Sequence, residues 1–322
     1  MPDPQIRIIY FGTPDFAVAA LEALVHDGFN VVAVVTAPDK PSGRGLKLQQ
    51  SPVKVKALAL NFPVLQPESM KDELFLKELS SFSPDIQVVV AFRKLPAAVW
   101  QLPKLGTFNL HASLLPQYRG AAPINWAVIN GESQTGLTTF FLDDKIDTGK
   151  IILQEVMPIE SHDDAGQLHD RMMTAGAKLV SKTVNLIVTK QVALTDQASL
   201  EPGNVLHNAP KLNKENCRIA WDHPATAIRN FIRGLCPYPG AIAELNTGTE
   251  VVYLKIFKTS LISSEMMLQA GEIATDNKSF IRVGTGAGFL EILELQVAGR
   301  KRMPVVDFLR GTKLEPGLKF VS

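Results

Sequence analysis

The apolar residues at the amino end of the chain follow a strand, helix and strand pattern. Ile6 to Phe11 is a short apolar run, Ala17 to Val25 repeats apolar residues at helical spacing, and Val31 to Thr36 is a second apolar run. Such runs are typical of strands buried on both faces, and a helical crossover between them indicates parallel pairing. Pro84 to Phe92 repeats the strand pattern, so we predict an α/β fold with a Rossmann-like parallel sheet.

The turn after the first strand argues against one large class of α/β enzymes. It reads FGTPDF from Phe11 to Phe16 and lacks the G-x-G-x-x-G spacing that binds the pyrophosphate of a dinucleotide. A nicotinamide oxidoreductase is therefore disfavoured.

A long helical pattern and a polar stretch divide the chain. Apolar residues recur at helical spacing from Leu168 to Ile187, and Ser161 is predicted to cap this helix. Residues 190–210 are polar and show no periodicity. We therefore predict a catalytic domain over 1–189, a linker over 190–210 and a second domain over 211–322.

The second domain has the pattern of a small β-structure. Short apolar runs are separated by turns rich in Gly, Asn or Thr: Ala241 to Leu245, Val251 to Phe257, Ser279 to Val283 and Phe289 to Val297. Several short strands with this spacing suggest a small barrel. Alternation places Tyr253, Lys255 and Phe257 on one face, which suits a nucleic acid backbone and equally fits an ordinary half-exposed strand.

Two polar side chains in the middle of the catalytic domain suggest acyl-transfer chemistry. Phe108 to Leu110 is predicted to be a short strand, and residues two apart on a strand face the same way, so Asn109 and His111 should converge. An amide N–H can stabilise an oxyanion, and an imidazole can move a proton near neutral pH. A histidine near the end of a strand is also often structural, so spacing alone leaves both interpretations open.

Composition favours a cytoplasmic enzyme that does not associate with membranes. The chain is 46% hydrophobic and 20% charged, which is ordinary for a soluble protein. No apolar run approaches the roughly 20 residues that span a bilayer, and MPDPQIR lacks the order of a secretory signal. Cys217 and Cys236 have no metal-ligand or redox spacing.

Charge is distributed unevenly although the net charge is only +1. Residues 1–208 contain 18 Lys or Arg against 21 Asp or Glu, whereas residues 209–322 contain 15 against 11. A basic smaller domain fits a polyanion as partner, although an excess this modest is also common on ordinary surfaces. Its densest basic cluster, Arg300, Lys301 and Arg302, is predicted to contact phosphate.

A second basic stretch, Thr36 to Lys56, lies after a predicted parallel strand. It carries five basic residues against Asp39: Lys40, Arg44, Lys47, Lys54 and Lys56. Its three prolines predict a loop without regular structure. Ligands bind at the carboxyl ends of parallel strands, so this loop fits an arm that grips a polyanion, and on the residues alone it fits a solvated loop equally well.

Four motifs together resemble the methionyl-tRNA formyltransferases. They are FGTPDF from residue 11, PSGRGLKLQQSPVK from residue 41, FNLHASLLPQYRGAAPINWA from residue 108 and DTG from residue 147. The resemblance runs from the first strand to the last helix. It implies formyl transfer from 10-formyltetrahydrofolate to the amino group of methionine on initiator tRNA, and an OB-like barrel as the second domain.

The resemblance also implies which residues form the site. Asn109, His111 and Asp147 would be catalytic, with Asp147 holding and polarising His111. The folate contacts would come mainly from the backbone of Ser113, Leu114, Leu115 and Pro116. The tRNA contacts would include Lys40, Arg44 and Lys47. We expect a monomer and no metal, since the acids near Asp147 do not match a known calcium loop.

Two other functions fit part of this pattern. A folate-dependent N-formyltransferase acting on an amino sugar nucleotide shares the expected first domain, but the length and order of the carboxyl-terminal half favour tRNA. A tRNA-binding module that has lost catalysis would not need the intact set of Asn109, His111 and Asp147.

Overall fold

The structure is a computed structural model, and it describes residues 5–42, 47–201, 203, 205–246, 250–263 and 268–321. The helices are α1 (Asp15–His26), α2 (Pro52–Ala59), α3 (Glu73–Ser81), α4 (Ala97–Trp100), α5 (Pro123–Ile129), α6 (Ala165–Val188), α7 (Ala225–Gly234) and α8 (Val305–Gly311). A 3-10 helix covers Gln197–Leu200.

The strands before the linker are β1 (Arg7–Gly12), β2 (Asn30–Val35), β3 (Lys40–Ser42), β4 (Lys47–Gln49), β5 (Val64–Leu65), β6 (Ile86–Val90), β7 (Thr107–His111), β8 (Arg119–Gly120), β9 (Gln134–Phe141) and β10 (Ile151–Pro158). Those after it are β11 (Asn208–Ala209), β12 (Ala241–Asn246), β13 (Val251–Ile262), β14 (Ile273–Thr275), β15 (Ile281–Gly284), β16 (Phe289–Val297), β17 (Met303–Pro304) and β18 (Lys319–Val321).

The chain folds into two compact units. The first unit comprises Met1–Gly120, Thr135–Pro158 and His169–Asn208, and the second comprises Ala121–Gln134, Ile159–Leu168 and Ala209–Ser322. These units are discontinuous in sequence, whereas the predicted domains of 1–189 and 211–322 are continuous, and the domain boundaries stay a prediction.

The first unit is built on the predicted Rossmann-like sheet. Its strand order is β10-β9-β7-β6-β1-β2-β5, with β5, β2, β1, β6 and β7 parallel and β9 antiparallel to β7. The central strands β1 and β6 consist mainly of fully buried apolar residues. Removing these side chains from water on both faces of the sheet is the main stabilisation of the unit. The predicted α/β fold is confirmed.

The stretch from Thr36 to Lys56 is more regular than its prolines suggested. β3 and β4 pair as an antiparallel hairpin, and α2 begins at Pro52. Ser51 caps this helix by accepting a hydrogen bond from the backbone N–H of Lys54 at 3.0 Å. Proline is well tolerated at the first helical position because its missing N–H would have no helical partner there. The prediction of a loop without regular structure was wrong.

The long helix α6 begins later than predicted. Asp164 accepts a hydrogen bond from the backbone N–H of Gln167 at 2.8 Å, and the Gln167 side chain accepts from the backbone N–H of Asp164 at 3.0 Å. This reciprocal pair is a capping box. The prediction that Ser161 caps the helix was therefore wrong, although the apolar face from Leu168 to Ile187 is buried as expected.

The second unit contains a small antiparallel barrel. The strand order is β14-β15-β16-β13-β12-β18, with β17 paired to β16. Backbone hydrogen bonds from Ile273 to Leu318 (3.3 Å) and from Phe320 to Gly271 (2.8 Å) bring the two ends of this order together. Inside, Trp221 is fully buried and stacks on Phe320 with ring centroids 4.9 Å apart. The predicted OB-like barrel is confirmed.

One irregularity changes the surface of this barrel. The pairing of β13 with β16 shifts register between Ile256 and Lys258. A bulge of this kind re-aims the side chain at its centre. Phe257 is therefore 7% exposed, whereas Tyr253 on the same strand is 52% exposed. The prediction that Tyr253, Lys255 and Phe257 share one face was wrong for Phe257.

Candidate active site

The strand β7 carries the first two predicted catalytic residues. It lies between β6 and β9, and its alternation directs Asn109 and His111 to the same face. Asn109 is partly buried and His111 is 6% exposed. The strand prediction is confirmed and extends one residue further at each end.

The contacts of His111 define which ring nitrogen is available for chemistry. Nε2 lies 2.9 Å from the carbonyl oxygen of Tyr118, and Nδ1 lies 3.9 Å from Oδ2 of Asp147. A carbonyl oxygen only accepts, so the neutral ring carries its proton on Nε2 and presents the Nδ1 lone pair toward Asp147. A proton taken up by His111 would therefore sit on Nδ1, next to a carboxylate that stabilises the cation.

Asp147 is held in an unusual backbone conformation. Its φ is 56°, in the left-handed region, which costs a residue other than glycine on the order of 1–3 kcal/mol. Its Oδ2 accepts a hydrogen bond from the backbone N–H of Gly120 at 3.0 Å. This combination turns the carboxylate toward His111.

The rest of the DTG motif shapes the same loop. The Thr148 hydroxyl donates to the Asp143 carboxylate at 2.8 Å. A Cβ on Gly149 would overlap the backbone carbonyl oxygen of Phe141, so only glycine fits there without a shift. The motif therefore combines a carboxylate, a hydroxyl anchor and a close backbone approach.

The predicted folate residues are mostly engaged within the protein. The Ser113 hydroxyl is fully buried and donates to the carbonyl oxygen of Gln117 at 2.6 Å. The backbone N–H of Leu115 donates to Thr138 at 3.1 Å, and its carbonyl accepts from Gln154 at 2.9 Å.

The four predicted folate residues, Ser113 to Pro116, differ in the solvent exposure of their side chains. Leu115 and Pro116 are buried, whereas Leu114 is partly exposed. Leu114 thus has the most accessible side chain of the four, and the folate contacts of this segment stay a prediction.

The basic stretch is only partly described. Lys40 is exposed at the start of β3, while Arg44 and the side chain of Lys47 lie outside the described residues. The other two basic residues form ion pairs, Lys54 with Asp39 and Lys56 with Glu22, each at 2.6 Å.

The basic cluster of the barrel has two kinds of members. All three side chains are exposed, but only Arg302 has a described ion pair and ring contact. Arg302 pairs with Glu294 at 2.6 Å and lies over the Phe257 ring, 4.6 Å from its centroid. Arg302 is thus held by contacts within the barrel, whereas no such side-chain contact is described for Arg300 and Lys301.

A buried thiol lies next to Arg302. Cys236 Sγ is 3.8 Å from Arg302 Nη1 and 3.2 Å from Asp164 Oδ2. Burial, together with the Asp164 carboxylate, raises the pKa of the Cys236 thiol to about 12. The thiol is therefore protonated and unreactive at neutral pH.

Neither a metal cluster nor a spanning helix is found in the part of the chain that the structure describes. No group of three or more His, Cys, Asp or Glu side chains there is arranged to hold a metal ion. None of the described helices is both long and apolar enough to cross a membrane.

Sequence reasoning missed several residues that support the site. Tyr118 and Gly120 act through backbone atoms, so their side chains gave no signal. Gln197 donates to the backbone carbonyls of Asp147 and Gly149 at 3.0 and 2.8 Å from within the predicted linker. A single buried amide in a polar stretch has no periodicity that could have revealed it.

Comparisons with known proteins agree with this architecture. The family described as formyl transferase matches residues 5–184, and the family described as formyl transferase, C-terminal domain, matches residues 211–313. A methionyl-tRNA formyltransferase of Bacteroides thetaiotaomicron is 51% identical, and the match covers 99% of each chain.

Solved structures share the fold at low sequence identity. HypX from Aquifex aeolicus, solved with tetrahydrofolic acid, has a TM-score of 0.63 at 17% identity over 97% of this chain and 49% of its own. WlaRD, a sugar 3N-formyl transferase, has a TM-score of 0.62 at 20% identity over 92% of this chain and 99% of its own. Because the chain is 51% identical to the Bacteroides thetaiotaomicron methionyl-tRNA formyltransferase over 99% of both chains, and both family models match it, the chain belongs to the methionyl-tRNA formyltransferase family.

Proposed function

We propose that this chain transfers the formyl group of 10-formyltetrahydrofolate to the amino group of methionine on charged initiator tRNA. The observation that carries the proposal is the 51% identity to a methionyl-tRNA formyltransferase over 99% of both chains. The match includes the carboxyl-terminal region as well as the region that carries Asn109, His111 and Asp147. The active-site geometry supplies groups suited to the reaction.

The chemistry assigns one task to each catalytic side chain. The methionine nitrogen attacks the formyl carbon, the new C–N bond forms, and the bond from that carbon to N10 of folate breaks. Asn109 donates an N–H to the oxyanion that develops on the formyl oxygen. His111 receives the amine proton on Nδ1 and returns a proton to N10, while Asp147 stabilises its charged form at 3.9 Å.

A folate-derived donor is supported by the fold and by the segment after β7. HypX, which shares the fold, was solved with tetrahydrofolic acid. In this chain the buried Ser113 and Leu115 fix the segment, and Leu114 presents a partly exposed apolar side chain beside Gly136. A flat pteridine needs an apolar contact of this kind.

The transfer can be tested with purified protein, 10-formyltetrahydrofolate and charged initiator tRNA. We expect formylmethionine on the tRNA, and no product from free methionine or from a dTDP-linked amino sugar. Neither small substrate carries the RNA backbone that the basic residues are proposed to bind. Product from the amino sugar with none from tRNA would select the alternative, a sugar N-formyltransferase.

The tRNA contacts are assigned to Lys40, Arg44 and Lys47 in the first unit and to Arg300, Lys301 and Arg302 in the second. Lysine and arginine release counterions when they neutralise phosphates, so tRNA affinity should fall as salt rises.

Replacing Lys301 with alanine should weaken tRNA binding and lower the salt slope by about 1. Lys301 is exposed on the barrel, and Lys278 is exposed on a turn of the same barrel but was not predicted to touch tRNA. Lys278→Ala is therefore the control and should bind normally. Fluorescence anisotropy of labelled tRNA over a salt series measures both quantities, and equal slopes for the two variants would remove Lys301 from the contact set.

Three other features of the proposal come from the sequence and remain predictions: a monomer, a cytoplasmic location and a reaction that needs no metal. Light scattering at assay concentration and activity after dialysis against a chelator check the first and third.

A further inference from the structure

A buried glutamine outside both matched family regions holds the loop of Asp147. Gln197 is 1% exposed, and the matched regions end at residue 184 and begin again at 211. Its Nε2 donates to the carbonyl oxygens of Asp147 (3.0 Å) and Gly149 (2.8 Å). One amide thus fixes the backbone on both sides of Thr148.

The other end of this amide holds an arginine that acts on the same loop. Gln197 Oε1 accepts from Arg119 Nη2 at 2.7 Å and from Arg119 Nε at 3.1 Å. Arg119 Nε also lies 3.1 Å from the carbonyl oxygen of Asp147, and Nη2 pairs with Glu201 at 2.9 Å. The residue after Arg119 is Gly120, whose N–H bonds the Asp147 carboxylate. Gln197 therefore supports Asp147 and also the strand that contacts its carboxylate.

The hydrogen bonds from Arg119 and Gln197 hold Asp147 in an uncommon backbone conformation. A residue with φ of 56° relaxes easily toward the common regions unless its surroundings hold it. Both donors to its carbonyl, Arg119 and Gln197, oppose that relaxation. If the loop relaxed, Oδ2 would turn away from Nδ1 of His111.

The same segment also braces the other side of His111. The backbone N–H of Tyr118 donates to the carbonyl oxygen of His207 at 2.7 Å, and the rings of Tyr118 and His207 stack. The backbone N–H of His207 donates to the Gln117 side chain at 2.9 Å. The carbonyl oxygen of Tyr118 is the group that orients His111.

We propose that Gln197 is a positioning residue for formyl transfer, acting through Asp147, and that the predicted linker supports the active site through Gln197 and His207 instead of serving only as a connection. This proposal rests on the proposed function for its kinetic test. Gln197 touches no reacting atom, and its role is to keep the Asp147 carboxylate aimed at His111.

The test is Gln197→Glu, which keeps the acceptor for Arg119 but removes the donor to the two carbonyls. We expect kcat to fall about 10- to 100-fold, since a displacement near 1 Å of a catalytic group has an effect of that size. KM for charged tRNA should stay within about twofold, because no tRNA contact changes. Gln191→Glu is the matched control: it makes the same substitution at an exposed position outside the contacts of Asp147 and should leave kcat unchanged.

A second readout does not depend on the substrate. The ring ¹⁵N signals of His111, followed by NMR at one fixed pH, should move in Gln197→Glu and stay in place in Gln191→Glu. A wild-type enzyme that formylates no tRNA would refute the proposed function, while the NMR comparison would still decide the positioning role.

The outcomes separate positioning from a merely structural role. A folded Gln197→Glu protein with wild-type kcat and unchanged His111 signals overturns the proposal. If thermal melting shows that this variant does not fold, Gln197→Met, which is uncharged and similar in length, becomes the deciding variant. A lower melting temperature with unchanged kcat in the folded protein would also overturn it.

Discussion

Replacing His111 with alanine should lower kcat for formyl transfer by about a hundred- to ten-thousandfold, the range for loss of a general acid–base group. The reason lies in the ring orientation. Nε2 is committed to the Tyr118 carbonyl, and Nδ1 faces Asp147 at 3.9 Å. Without the imidazole, no group at this position takes the proton that the attacking amine must lose.

The test of His111→Ala must measure the rate of formyl transfer separately from the affinity for tRNA. Single-turnover formylation with saturating tRNA reports the chemical step, and the affinity for tRNA should change little. Because His111 is 6% exposed, the folded fraction must be checked by thermal melting. His26→Ala is a suitable control, since the His26 side chain is 88% exposed on α1 and contacts only its neighbour Asp27 among the ion pairs described. A folded His111→Ala enzyme with a rate within tenfold of wild type would contradict the assigned role.

The first unit was predictable because its signal is repeated along the chain. The runs at Ile6 to Phe11 and Val31 to Thr36 became β1 and β2 within one residue at each end, and the helix between them became α1. Continuous burial on both faces requires long apolar runs, and a polar residue inside such a run would be costly. Because burying a polar residue in such a strand is costly, the long apolar runs are recognisable in a single sequence.

Local capping and bulges were less predictable, because several residues compete for one position. Ser161 and Asp164 are both good helix caps, and only the reciprocal bond with Gln167 selects Asp164. In β13, strict alternation fails at Phe257 because one extra residue is inserted opposite β16. Nothing in the sequence near residue 257 marks that insertion.

The positions of the proposed catalytic side chains follow from the sequence, whereas the contacts that support them do not. Asn109 and His111 follow from alternation on a short strand, and resemblance added Asp147. The supports are backbone atoms of Tyr118 and Gly120 and one amide at position 197, which are set by tertiary contacts. Residue type alone carries no information about such contacts, since every backbone has the same donors and acceptors.

Replacing Asn109 with alanine should lower kcat by about a hundred- to a thousandfold, or roughly 2.7–4 kcal/mol in activation free energy, as for the loss of one oxyanion donor. The affinity for tRNA should be nearly unchanged, because the bond forms only as charge develops on the formyl oxygen. Asn109→Asp keeps the shape but replaces the N–H donor with a carboxylate oxygen, so it should be at least as slow. Asn185→Ala, at an exposed position on α6, is the control and should keep the wild-type rate. Single-turnover rates at saturating folate and tRNA decide the matter, and full turnover in a folded Asn109→Ala enzyme would require another donor for the oxyanion.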